Sequence, residues 1–196
     1  MTPPTPSLRP ATPEDAEALA ELINFAGEGL PAYIWERMAE PGETVWDVGR
    51  RRARREEDSF SYSKAVVLER DGAVAACLIG YPLPDAPEPI DHDAMPAMFV
   101  PLQELENLAP GTWYVNVLAA YPEQRGRGHG TTLLSHAEET AAANGKRGVS
   151  IIVADANTGA RRLYERSGYR ETARRPMVKE GWQSPSETWI LLVKPL

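Results

Sequence analysis

The stretch YPEQRGRGHGTTLL, Tyr121 to Leu134, decides the fold. It sets Gly126, Gly128 and Gly130 at alternate positions, with Arg125 and Arg127 beside them, immediately ahead of a helical pattern. Glycine loses more conformational freedom on folding than any other residue, so this spacing implies a close approach or a positive φ. Where such a loop enters a helix, backbone N–H groups converge and the helix dipole adds partial positive charge. The stretch is either a cradle for phosphates or only a flexible turn, and its flanks decide between them.

The flanks extend this reading in both directions. Upstream, TWYVNVL (112–118) has the aromatic and β-branched content of a strand. Downstream, Leu134, Ala137 and Ala141 mark a helix that ends at Asn144-Gly145, and VSIIVA (149–154) reads as a buried strand. A second helix over 157–167 carries Ala160, Leu163 and Tyr164 on one side and closes at Gly168. Strand, loop, helix, strand, helix requires a crossover and a parallel strand pair. Further strands are expected from Tyr169 onward and in ETWILLVK (187–194). Towards the N-terminus, AVVLER (65–70) and AVAACLIGY (73–81) are joined by Asp71-Gly72 and predict a hairpin. Thr12-Pro13-Glu14-Asp15 starts a helix whose apolar face is Ala16, Leu19, Ala20 and Ile23. Pieces 31–40 and 43–58 are also read as helical, separated by Pro41-Gly42.

The length of 196 residues suits one domain, expected over 8–196, with the proline-rich residues 1–7 as a flexible tail and 82–111 as an acidic insertion. Within that insertion, PLQELENL (101–108) is a short helical candidate, and a connection this long is often functional. A net charge of −7 opposes binding to nucleic acid or an anionic membrane. GRRRARREED (49–58) does not change that, because Glu56, Glu57 and Asp58 follow the five arginines directly. With no apolar run near the roughly twenty residues of a membrane span and no signal-like start, a cytoplasmic protein is expected. Cys77, the single cysteine, sits in apolar VAACLIG and is expected to pack in the core. His92, His129 and His136 are too scattered for a metal triad, so no metal is expected.

A Walker loop needs Gly-Lys-Ser/Thr, but Thr131 follows Gly130 directly. A dinucleotide fingerprint needs a glycine where Thr131 stands, although Asp155 imitates its acidic residue. Arg125-x-x-Gly128-x-Gly130 after Tyr121-Pro122-Glu123 instead resembles the pyrophosphate signature of the GNAT superfamily of acyl-coenzyme A-dependent N-acyltransferases. NTGARRLYERSGY (157–169) resembles that family's second signature, and the upstream hairpin and helices match its element order. The resemblance implies an α/β (α+β) fold with a mixed, mostly antiparallel central sheet, a parallel strand pair at the cofactor site and flanking helices.

It also implies acetyl-CoA as cosubstrate, acetyl transfer to a primary amine in a ternary complex, and roles for particular residues. The backbone of Arg125, Gly126, Arg127, Gly128, His129, Gly130 and Thr131 would receive the pyrophosphate, with charge from the two arginines. Leu118, Ala119 and Ala120 match the strand that pairs with the pantetheine arm, and Asn157 matches a position that hydrogen-bonds it, where a helix N-cap is the alternative. Tyr164 matches the proton donor to the departing thiolate. Asn116 stands where many relatives carry a glutamate base. Asparagine cannot accept a proton, which leaves solvent, Glu104, Glu106 or Tyr114 for that task. The acceptor site is expected around 25–46 and the acidic insertion, with Asp85, Glu88, Asp91, Asp93, Glu104 and Glu106 favouring a cationic small amine. A non-catalytic acyl-CoA sensor and a protein or peptide acetyltransferase are the alternatives, and a homodimer is compatible with either.

Overall fold

The computed structural model describes residues 6–196, so residues 1–5 of the expected tail lie outside the described residues. Seven strands form a sheet in the order β1 (Ser7–Pro10), β2 (Ala65–Arg70), β3 (Ala73–Pro82), β4 (Trp113–Ala120), β5 (Gly148–Ala154), β7 (Thr188–Pro195) and β6 (Arg170–Pro176). β4 and β5 run parallel, with Trp113 opposite Val149 and Val115 opposite Ile151. The β1–β2, β2–β3, β5–β7 and β6–β7 pairs are antiparallel. This is the mixed, mostly antiparallel sheet with one parallel pair that the family resemblance implied. The chain divides into two compact units, residues up to Gly80 with 116–133, and 81–115 with 134–196.

The first unit is built on three helices, α1 (Ala16–Ala26), α2 (Leu30–Met38) and α3 (Val45–Ala53). Leu19 and Ile23 from α1, Trp35 from α2 and Val48 from α3 share a core with Val67, Cys77, Ile79 and Val117. The i, i+3, i+4 spacing along α1 is what turns one apolar side inward. Gly49 lets α3 approach α2, since a Cβ there would lie 2.6 Å from the Trp35 ring. Arg9 of β1 donates to both carboxylate oxygens of Asp15, at 2.7 and 2.9 Å, and to Glu69 of β2 at 2.8 Å. The same Asp15 accepts from the Thr12 backbone N–H and closes the turn before α1.

Two expectations are corrected here. Ser7 belongs to β1, a short strand ending in proline that the sequence reading did not include; an edge position tolerates a residue without an N–H. The helix expected over 43–58 covers only Val45–Ala53. Beyond it, Asp58 accepts two bonds from Arg52, at 3.0 and 3.1 Å, and one from the Phe60 N–H at 3.0 Å, which favours a turn over a helix. Of the acids that follow the arginine run, Asp58 pairs with Arg52, while Arg50 instead meets Asp47 at 2.7 Å and Arg51 meets Glu43 at 2.8 Å.

The second unit contains α4 (Val100–Glu106), α6 (Thr158–Arg166) and most of α5 (His129–Ala143), with β5, β6 and β7. Its apolar cluster joins Leu83, Leu105, Ala109, Tyr114 and Leu191, with Tyr81 and Trp189 packed against it. The insertion is tied at its base, where the Leu83 N–H donates to Thr112 at 2.8 Å and the Gly111 N–H to Pro84 at 2.7 Å. Thr112 and Ser150 satisfy each other in the interior through a 2.7 Å hydroxyl contact. No helix among the described residues is long and apolar enough to cross a membrane.

Candidate functional site

In the first unit β4 passes through a single turn, Pro122–Gln124, into the loop that delivers the chain to α5. Gly126 and Gly128 take φ of +73° and +84°, the left-handed region that side-chain-bearing residues avoid. A Cβ at either position would meet nothing within 4 Å, so the demand comes from the backbone and not from crowding. Gly130 lies in the first turn of α5 and does not share that φ. The Thr132 N–H makes a helical bond to Gly128 at 3.1 Å. The N–H groups of His129, Gly130 and Thr131, one turn earlier, have no helical carbonyl to meet. The loop before them is exposed from Arg125 to Gly128, with the dipole of a fifteen-residue helix behind it.

Arg125 and Arg127 are exposed, and the Arg125 Nε donates to the Ala120 carbonyl at 3.3 Å, folding the loop against the end of β4. His129 behaves differently. Its side chain is buried, with Nε2 lacking a partner among the described residues, and burial followed by the charges of Arg70 and Arg127 lowers its pKa. The ring is neutral and its contribution to the loop is main chain. On β4, Ala119 packs against the core, which puts Leu118 and Ala120 on the opposite face by alternation. The Asn116 Nδ2 donates to the Ser59 carbonyl at 3.1 Å, so this side chain is held as a donor.

In the second unit Asn157 caps α6, its Oδ1 accepting from the Ala160 N–H at 3.2 Å, which realises the capping alternative for this residue. Tyr164, two turns on, is 5% exposed and packs at 6.2 Å from the Tyr169 ring. Burial raises its pKa, so it is a phenol at any ordinary pH. Tyr114 is also buried. Its pKa is pushed up by desolvation first, then by Glu106, Tyr81 and Tyr164, which rules it out as a base. The Tyr81 and Tyr114 rings meet edge to face at 5.6 Å.

The carboxylates of the insertion differ sharply in their surroundings. Glu104 is paired with Arg175 at 2.5 Å, Asp85 lies 3.5 Å from Lys146, and Asp91 accepts the N–H groups of Asp93 and Ala94. Glu106 instead sits at the end of α4 in a cleft lined by Leu83, Glu88, Gln103 and Asn107. Desolvation, reinforced by Glu88, raises its pKa to about 7. Sequence reasoning placed Glu106 among several acids, and only the fold separates it from them. Cys77 is buried and its thiol is pushed up to about 12 by burial, which makes it inert packing. Among the described residues, no group of three or more His, Cys, Asp or Glu side chains is placed to hold a metal.

The first unit thus carries an exposed glycine loop at a strand–helix junction, and the second a buried phenol on α6. The family model described as acetyltransferase (GNAT) family matches residues 31–169. The chain belongs to the GNAT acetyltransferase family, whose general activity is acetyl-CoA-dependent N-acetylation. No curated protein sequence matches it significantly. Among solved structures, an acetyltransferase is 23% identical with a TM-score of 0.66, covering 96% of this chain and 98% of its own. A ribosomal-protein-alanine N-acetyltransferase from Brucella melitensis is 22% identical with a TM-score of 0.60, covering 97% and 99%. A GNAT family acetyltransferase from Elizabethkingia anophelis with acetyl-CoA bound is 18% identical with a TM-score of 0.51, covering 67% and 75%.

Proposed function

We propose that this chain, acting as one domain over residues 8–196, moves the acetyl group of acetyl-CoA directly onto a primary amine of a small molecule. The observation that carries the reading is the exposed loop from Arg125 to Gly128, with two glycines at positive φ and the unpaired first turn of α5 behind it. Main-chain donors arranged in this way suit a diphosphate, and the missing Cβ atoms leave room for its close approach. Support for the cosubstrate comes from the Elizabethkingia relative, which holds acetyl-CoA. Tyr164 is assigned to the departing sulfur, Leu118 and Ala120 to the pantetheine arm through their backbone, and Asn157 to a cap that can also face that arm. A cytoplasmic setting, where acetyl-CoA is made and used, fits this activity.

Acceptor class is argued from charge. Glu88 and Glu106 share a cleft in an insertion whose Asp85 and Glu104 are already paired with cations, so two neighbouring carboxylates favour a cationic amine. A second reading, an acyl-CoA-binding sensor without turnover, draws on Asn116, which is held by Ser59 and offers no carboxylate on β4. A panel of polyamines, aminoglycosides, amino acids and peptide N-termini, assayed with acetyl-CoA, separates these. Turnover is expected on small cationic amines. Turnover confined to peptides or neutral acceptors contradicts the acceptor assignment, and tight binding with no turnover on any amine favours the sensor.

A further inference from the structure

The glycine loop has few bonds of its own. Over 125–128 two residues carry no side chain and both arginines are exposed, so the order of the loop comes from its flanks. Tyr121, between β4 and the turn Pro122–Gln124, is anchored on several sides. Its N–H donates to the Ala75 carbonyl of β3 at 3.1 Å, and its carbonyl accepts the Gln124 N–H at 2.9 Å. Its phenol donates to a carboxylate oxygen of Glu21 on α1 at 2.5 Å, across 100 positions of sequence. Its ring meets Phe25 edge to face, 6.1 Å between centres and 80° between planes. Glu21 and Phe25 stand one turn apart on α1, so a single helix face takes both the hydroxyl and the ring. All of these groups lie in the first unit. From this strut we propose that Tyr121, locked to Glu21, is a positioning residue for the diphosphate: it holds the start of the loop at the angle from which residues 125–131 present their N–H groups. The proposal rests on the diphosphate reading above.

A glycine-rich segment loses much conformational freedom when it orders on a ligand, so a loop ordered beforehand binds more tightly. The anchor suits that task. Leu19, Leu22 and Ile23 fix α1 in the core, so Glu21 stands on a rigid support. An O–H that donates to a carboxylate at this length is a short, charge-assisted bond. Burial, and then the bond to Glu21, raises the Tyr121 pKa, so the phenol keeps its proton and remains the donor. The Arg125 side chain folds back onto the Ala120 carbonyl at 3.3 Å, so the loop leaves from the anchored point. Both Glu21 and Tyr121 act through the main chain that follows.

The test is titration calorimetry of the full chain with acetyl-CoA and with acetyl-pantetheine, beside amide hydrogen exchange of the ligand-free protein. Tyr121→Phe keeps the ring on Phe25 and removes only the hydroxyl. It is expected to weaken acetyl-CoA binding about tenfold while acetyl-pantetheine binding changes less than about twofold. The Gln124 and Arg125 amides, bonded to the Tyr121 and Pro122 carbonyls, are expected to exchange about tenfold faster. Protection in β2 and β3 should stay as in wild type. Glu21→Ala should behave in the same way, and Glu21→Gln, whose amide oxygen still accepts the bond, should recover most of the lost affinity. The double variant Y121F/E21A should bind no more weakly than either single one, because one bond is removed in all three. Acetyl-CoA binding by Y121F within about twofold of wild type overturns the positioning role. Equal weakening of both ligands, or faster exchange throughout the first unit, makes Tyr121 a packing residue and overturns it as well. Wild type that binds acetyl-CoA and acetyl-pantetheine equally rejects the diphosphate reading, and the positioning role with it.

Discussion

Tyr164→Phe is expected to lower kcat about 10³-fold while changing acetyl-CoA affinity by less than about twofold. The phenol is 5% exposed, and burial holds its pKa above the ordinary range, so it stays protonated at every pH the enzyme would meet. A raised pKa weakens an acid, yet a thiolate leaving into equally dry surroundings has its own proton affinity raised by desolvation. Transfer between two equally desolvated groups then depends on their placement. Phenylalanine keeps the aromatic body that packs on Tyr169 at 6.2 Å, so the fold and the cofactor grip should persist while the proton is gone. Steady-state kinetics with parallel calorimetry reads both halves. Equal loss of binding and rate would make Tyr164 a packing residue, and an unchanged rate would remove it from the chemistry.

Trp35→Ala is expected to destabilise the chain by about 3–5 kcal/mol, the usual range for deleting a fully buried large aromatic. Trp35 is 1% exposed, lies against Gly49 of α3, and meets Trp46 at 6.3 Å between ring centres, so α2 and α3 lose their common filler. Urea unfolding should show a lower midpoint with an unchanged slope. A loss below about 1 kcal/mol would mean that the helices close over the cavity, contrary to the close packing around Gly49.

Much of the fold was legible because local chemistry and tertiary demand agree. The glycine loop, the Asp71-Gly72 hairpin and the buried strand at 149–154 each carry a signal within a few residues. β1 was missed since four residues ending in proline have no period to read, and their strand identity comes from pairing with β2 nearly sixty residues on. The helix over 43–58 was drawn too long because arginine and glutamate are both good helix formers. Asp58 competes for the backbone there, a contest visible only with Arg52 and Phe60 in place.

The candidate site divides in the same way. Loop residues announce themselves through spacing, since positive φ at Gly126 and Gly128 is a local property. His129 was read as a main-chain donor, and the structure adds that its ring is buried, while Asn157 caps α6. Glu106 was one acid among six in the insertion. What distinguishes it, the desolvation beside Tyr81 and Tyr114 and the Arg175 and Lys146 partners taken by Glu104 and Asp85, depends on residues distant in sequence.

Main-chain donors from Arg125 to Thr131 are proposed to hold the diphosphate of an acetyl-CoA molecule. Titration calorimetry that compares acetyl-CoA with acetyl-pantetheine, which shares the thioester arm and lacks the diphosphate, addresses it directly. Saturable heat with acetyl-CoA and at least about tenfold weaker binding of acetyl-pantetheine, a difference of about 1.4 kcal/mol, is the predicted result. Equal affinity for the two ligands, or no heat with either, would contradict it.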